Sequence, residues 1–249
     1  MLKKLTGIAL SVALIAIIGS LILYKTNQAS PTQTSTYSPL PHMSAVPTAT
    51  PAGTNTGTTP ATLSLKVPFT PQAPTGNWDE LHNEACEEAS AIMAEAYFSG
   101  DTRAEIPADE VETQITKLVN WEQANYGYSL DTTAAETAKM MDTVYGLHAT
   151  IVKNYTEDDL KKALQNNSIV VLPVNGQIIG NPYYKQPGPI YHMLVVRGYT
   201  STQIITNDSG TKHGENYLYD FSTLKNAGAD WDHATNTIYA TSLMIVVSK

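Results

Sequence analysis

Hydrophobic and polar positions divide this 249-residue chain into three regimes. The run from Leu5 to Tyr24 is uncharged and strongly apolar, with Lys3 and Lys4 before it and Lys25 closing it. A bilayer-spanning helix needs about 20 such residues, so residues 1–25 read as a signal anchor whose amino end stays in the cytoplasm. A cleaved secretory signal is the alternative, with the protein then released. Its best cleavage site, Asn27-Gln28-Ala29, is a poor one, and without a cysteine after the run a lipoprotein anchor is excluded. Residues 26–62 are rich in Thr, Ser and Pro and contain no Asp, Glu, Lys or Arg. Such a stretch buries too little apolar surface to offset the entropy of ordering, which predicts a disordered stalk. Regular patterning begins at Leu63, and residues 63–249 suffice for one globular core outside the membrane.

Inside that domain the periodicity changes from helical to β. Leu65 to Phe69 reads as a leading strand interrupted by Pro68, followed by a turn-rich stretch from Pro71 to Asn77. A helix over about 83–98 carries Ala85, Ala89, Ile92, Met93 and Ala96 as its buried stripe. Pro107 opens a second helix with Val111, Ile115, Leu118 and Val119, and Asp131 caps a third with Ala134, Ala138, Met141 and Tyr145. Thr156 through Asp159 has the pattern of a capping box for a fourth. After Asn167 come strands over 169–174, 191–199, 203–206, 217–221 and 238–247, with 149–152 as an extra edge strand. Helices first and a mostly antiparallel sheet afterwards give an α+β class. No internal repeat is visible.

Charge narrows the partners. All 23 acidic residues lie in the domain, against the 15 basic residues of the chain less Lys3, Lys4 and Lys25, which argues against nucleic acid or an anionic lipid surface. The single cysteine, Cys86, excludes an intramolecular disulfide and cannot alone build a thiolate metal site. His213 and His233 lack tight ligand spacing with Asp208 or Asp232, so neither a metal nor another cofactor is predicted. The 14 tyrosines are spread along the chain and fit sheet positions better than a carbohydrate-binding face.

Candidate chemistry centres on Cys86, in Asn83-Glu84-Ala85-Cys86-Glu87-Glu88 at a helix start, where a thiol is most readily ionised. With Ser90, Met93 and Tyr97 it lies one row from the apolar stripe, which predicts a half-sheltered position at a cleft; a buried structural cysteine is the plain alternative. His192 begins an apolar strand after the rigid Pro187-Gly188-Pro189, and Asp208 follows the next strand in the turn sequence Asn207-Asp208-Ser209-Gly210. On adjacent antiparallel strands the start of one lies beside the end of the next. The acid can therefore orient the imidazole and stabilise its charged form. Gln72, upstream of the cysteine, is a candidate oxyanion donor together with the Cys86 backbone N–H. His82 reads as a surface or capping residue, with a position lining the cleft as the alternative.

The ordered set Val67-Pro68-Phe69-Thr70-Pro71-Gln72, Asn77-Trp78-Asp79 with Glu84 to Ser90, Tyr191 to Tyr199, and Asn207 to Thr211 resembles the C39-like branch of the papain-like cysteine peptidases over Leu65 to Val247. The resemblance implies a papain-like α+β fold with a helical lobe and a mostly antiparallel sheet. It makes Cys86 the nucleophile, His192 the general base, Asp208 the orienting acid and Gln72 the oxyanion residue, acting on a peptide or protein substrate. A transamidase or cell-wall amide hydrolase on the same triad, or a non-catalytic peptide or glycan binder, are the alternatives. Many relatives follow the cysteine with Gly; Glu87 and Glu88 stand here instead, and their charge opposes a thiolate at the same helix end. Relatives that process bacteriocins after a double glycine are typically fused to a transporter, so that specificity is not implied for this chain.

Overall fold

The computed structural model describes residues 60–249. The predicted signal anchor and all of the predicted linker except its last residues lie outside the described residues. Among the described residues no helix is long and apolar enough to cross a membrane.

In chain order the elements are β1 (Leu63–Ser64), α1 (Glu80–Asn83), α2 (Cys86–Ser99), α3 (Ala108–Asn125), α4 (Ala134–Tyr145), β2 (His148–Lys153), α5 (Glu157–Gln165), β3 (Ile169–Val174), α6 (Gly176–Ile179), β4 (His192–Tyr199), β5 (Ile204–Asn207), β6 (Tyr217–Tyr219), α7 (Phe221–Ala227), β7 (Ala229–Asp232), β8 (Thr237–Ala240) and β9 (Leu243–Ser248). The main sheet runs β2-β9-β3-β4-β5-β6, with β1 added against β4, and every pairing in it is antiparallel. Strands β7 and β8 form a separate hairpin. This is the α+β architecture that the patterning predicts. Strands β3 and β4 are buried at every position, so both faces of the sheet's centre are covered, because successive side chains point to opposite faces.

Several boundaries differ from the predicted ones for identifiable reasons. The leading strand over 65–69 is not formed as such: only Leu63–Ser64 pair with β4. Beyond them Leu65 N–H still donates to the Arg197 carbonyl, but Pro68 has no N–H and Phe69 turns away to bridge Glu105. The helix expected from 83 is broken at Glu84–Ala85. A one-turn α1 forms first because Asp79 caps it through the His82 N–H, and α2 then starts at Cys86 itself. Asp131 is not the cap of α4. It sits at φ 52°, and Thr133 caps instead, closing a box with Glu136. The Thr156–Asp159 box on α5 is present as predicted. The expected strand 217–221 ends at Tyr219 because Phe221 opens α7, and the expected 238–247 strand is split between β8 and β9.

Two features fix the end of the sheet that matters for function. A bulge between β4 and β5 leaves Arg197 as an extra residue, and its guanidinium clamps the Leu65 carbonyl and the Asn216 side chain. Next to it, Gly198 admits the β1 backbone: a Cβ there would stand 2.3 Å from the Leu63 carbonyl oxygen. The segment after β1 is thereby drawn along β4, and Asn207 at the end of β5 donates to the Val67 carbonyl at 3.1 Å. Gln72 N–H donates in turn to Ser209 O at 2.9 Å, so the loop carrying Gln72 lies against the turn that carries Asp208.

Candidate active site

Helix α2 packs against β4, which carries the thiol of the first residue of one to the first residues of the other. Met193 N–H donates to Cys86 Sγ at 3.3 Å. His192 and Asp208 meet as expected from the antiparallel register, which pairs Val195 with Asn207: His192 Nε2 lies 2.9 Å from Asp208 Oδ1. With Nε2 facing the carboxylate, Nδ1 is the nitrogen left for exchange with another group. The structure thus brings Cys86, His192 and Asp208 to one end of the sheet. It does not join Cys86 and His192 by a hydrogen bond. The thiol donates to Glu87 Oε2 instead, at 2.9 Å. Nor is Cys86 half-sheltered as predicted. It is 4% exposed and His192 is 1% exposed, because α2 buries this edge of its first turn against β4.

Asp208 is fully buried yet held as an anion by its neighbours. Oδ1 accepts from His192 Nε2 and from Gly210 N–H, the latter at 3.0 Å. Oδ2 accepts from Tyr184 Oη and Tyr219 Oη at 2.7 Å each and from Asn181 Nδ2 at 3.0 Å. Burial pushes the carboxyl up. The His192 charge and the hydrogen bonds from His192, Tyr219 and Tyr184 outweigh it and hold the group at about 2. Asn181, Tyr184 and Tyr219 were not singled out from sequence. Tyr219 shares a face of β6 with Tyr217, an alternation that placed it in a sheet but gave it no role, and nothing in the spacing of Asn181 or Tyr184 marks them.

Gln72 is buried in the loop ahead of Cys86. Its Nε2 donates to the carbonyls of His82 and Asn83 at 2.9 Å each, so both amide hydrogens brace the turn that leads into Cys86. The Cys86 backbone N–H, by contrast, makes no hydrogen bond among the described residues and is a free donor at the helix start. His82 is not the surface residue expected. It is buried between Asp79, 2.7 Å from Nδ1, and Glu112, 2.8 Å from Nε2. His213 lies tilted against the Tyr183 ring, and His233 pairs with Glu136 at 2.9 Å.

Behind the thiol lies a second acidic group. Glu87, Glu88 and Glu122 are all buried, and Glu87 Oε1, Glu88 Oε2 and both Glu122 oxygens have no hydrogen-bond partner among the described residues. Burial is the main cause that raises all three carboxyls; the charge of Glu88 adds to it at Glu87 and Glu122, and that of Glu84 at Glu88. Burial, then the charge and acceptor oxygen of Glu87, also push the Cys86 thiol well above its ordinary value, with the Met193 N–H acting the other way. The resting thiol is therefore protonated at neutral pH. An open depression of about 490 Å³ is lined by Asp79, Glu80, Leu81, Gln123, Ser129 and Leu130; none of the four candidate residues lines it.

The family model described as the Peptidase_C39 like family matches residues 64–239, a span that includes Gln72, Cys86, His192 and Asp208. This chain belongs to that family. Membership in the C39-like family supports a cysteine-peptidase type of activity. A crystal structure from Bacillus anthracis, of a protein provisionally assigned as a C39-like peptidase, is similar to this C39-like chain at 14% identity. The likeness covers 76% of this chain and 98% of that one, with a TM-score of 0.47. No curated protein matches the chain.

Proposed function

We propose that the domain is a cysteine peptidase in which Cys86 is the nucleophile, His192 the general base and Asp208 the orienting acid. The observation that carries this reading is the buried His192–Asp208 pair at 2.9 Å, one residue from the backbone N–H that contacts the Cys86 sulfur. In the reaction, His192 Nδ1 takes the thiol proton and the thiolate attacks a peptide carbonyl. The imidazolium then protonates the leaving amine, and water hydrolyses the thioester. The free Cys86 N–H serves as a donor to the negative charge that develops on the carbonyl oxygen. Gln72 joins it once one of its two amide hydrogens leaves the His82 or Asn83 carbonyl. Asp208, held as an anion down to about pH 2, stabilises the imidazolium formed after the first step.

The thiol must also leave Glu87 and turn to His192, and substrate entering between α2 and β4 supplies the occasion for that rotation. Residues 1–25 act in this reading as a membrane anchor and residues 26–62 as a stalk, presenting the peptidase to peptide or protein substrates outside the cytoplasm. Cleavage of a peptide library by the full-length protein tests the proposal: Cys86→Ala and His192→Ala are each expected to lower turnover by at least about a thousandfold. Undiminished cleavage by a folded Cys86→Ala variant would sink it.

A further inference from the structure

Glu87 is a buried group in contact with the reacting sulfur that the reaction above leaves unused. Its Oε2 accepts from the Cys86 thiol at 2.9 Å, while the Met193 N–H reaches the same sulfur from β4. Glu87 is 2% exposed and its Oε1 has no partner. The titratable groups around it are Cys86 and Glu88 on α2, Glu122 from α3, Asp131 from the turn before α4, and Tyr191 just before β4. Glu84 adds its charge to Glu88 from the link between α1 and α2. All of these are acids or neutral at pH 7. None of the ion pairs among the described residues involves Glu87, Glu88 or Glu122.

Three carboxylates without a cation cannot all ionise in one dry pocket, because each anion would be both desolvated and repelled by the others. Glu122 faces the charge of Glu88, which raises it further. Glu87 has only the sulfur to turn to. A neutral carboxyl there has one O–H to donate, and a thiolate is the strongest acceptor within its reach.

We propose that Glu87 is a further catalytic residue: it keeps its proton and donates it as a hydrogen bond to the Cys86 sulfur when the thiol ionises. The proposal rests on Cys86 being the nucleophile. In the step, the S–H bond breaks and an N–H bond forms on His192, leaving thiolate and imidazolium. The Glu87 O–H rotates toward the sulfur without being transferred, so no third charge appears. The thiolate is then held by two donors, Met193 N–H and Glu87 O–H, on the side away from the substrate. The acid that follows the cysteine in sequence thereby supports the thiolate that its charged form would oppose.

Cys86 is the only cysteine in the chain, so iodoacetamide alkylation of the full-length protein reads this sulfur alone. Rates at pH 7 are compared for the parent, Glu87→Gln, which keeps a neutral donor, and Glu87→Met, which has similar length and none. The Gln variant is expected within about threefold of the parent and the Met variant at least about tenfold slower, the effect of one hydrogen bond to a charged group. A Gln variant that reacts about tenfold faster would identify Glu87 as an anion that suppresses the thiolate, and overturns the proposal. A folded Met variant at the parent rate, or a Gln variant as slow as Met, overturns it equally. If Glu87→Met does not fold, the Gln comparison still decides, because a neutral and an ionised Glu87 predict different directions. Failure of the peptidase reading is seen separately, as peptide cleavage that survives Cys86→Ala.

Discussion

Two buried acidic sites lie on either side of the same strand start, and they are built in opposite ways. Asp208 has no exposed surface and accepts five hydrogen bonds, from Asn181, Tyr184, His192, Gly210 and Tyr219. Glu122 is equally buried and both its oxygens are without a partner, while Glu87 and Glu88 beside it each leave one oxygen bare. Burial alone would raise every one of these carboxyls. Asp208 nevertheless falls to about 2, and the three glutamates rise. The supply of donors, more than depth, decides the charge. The difference gives one side of the site a fixed anion behind His192, and the other side carboxyls that burial pushes toward their neutral form behind Cys86.

The strongest way to break this contrast is to remove the anion from the donor-rich side. Asp208→Ala takes the acceptor from His192 and from the Tyr184 and Tyr219 hydroxyls in a buried pocket, and leaves Asn181 only the Tyr219 oxygen. Urea unfolding is expected to register a loss of about 3–5 kcal/mol, with peptide cleavage abolished in whatever remains folded. The donor-poor side should respond in the opposite sense. A carboxyl whose folded pKa is raised costs the fold nothing below its unfolded value near 4.5. It costs progressively more as pH climbs toward the folded value. Glu122→Gln removes that burden, so the variant should be more stable than the parent by about 1–3 kcal/mol at pH 8, with the gap closing toward pH 5. Equal stability at both pH values would show that Glu122 finds a compensating partner.

Much of the frame was legible because it depends on local chemistry. The run Ile169–Val174 is continuously apolar with β-branched residues and became β3 at those bounds. Thr156 and Asp159 carry a capping box in their spacing alone. His192 and Asp208 could be paired because strand adjacency turns sequence order into proximity. Errors arose where two local signals competed. Asp131 has the residue type of a cap, yet Thr133 and Glu136, two residues on, satisfy each other reciprocally and win. The α1–α2 break was invisible because it follows from Asp79 reaching the His82 N–H and from Gln72 bracing the next two carbonyls. Least legible were the partners of Asp208. Asn181 and Tyr184 come from the loop after α6 and Tyr219 from β6, and their convergence depends on tertiary packing that no spacing encodes.

Those partners also allow a finer adjustment of the contrast. Tyr219→Phe removes one of the three donors to Asp208 Oδ2 and leaves the ring, the strand and the His192 bond in place. It also deprives Asn181 Nδ2 of the hydroxyl it donates to at 2.8 Å, though that amide keeps Asp208 as an acceptor. A carboxyl whose folded pKa is depressed adds stability above its unfolded value near 3.8 and loses it as pH falls toward about 2. With a donor gone, the folded value moves up and that window narrows. The variant should lose about 1–2 kcal/mol at pH 7 and show a smaller further decline between pH 4 and pH 2 than the parent. Thermal unfolding across that range gives the slope directly. A parallel shift, with the acid decline unchanged, would mean that Tyr219 contributes packing and leaves the charge of Asp208 to His192, Tyr184 and Asn181.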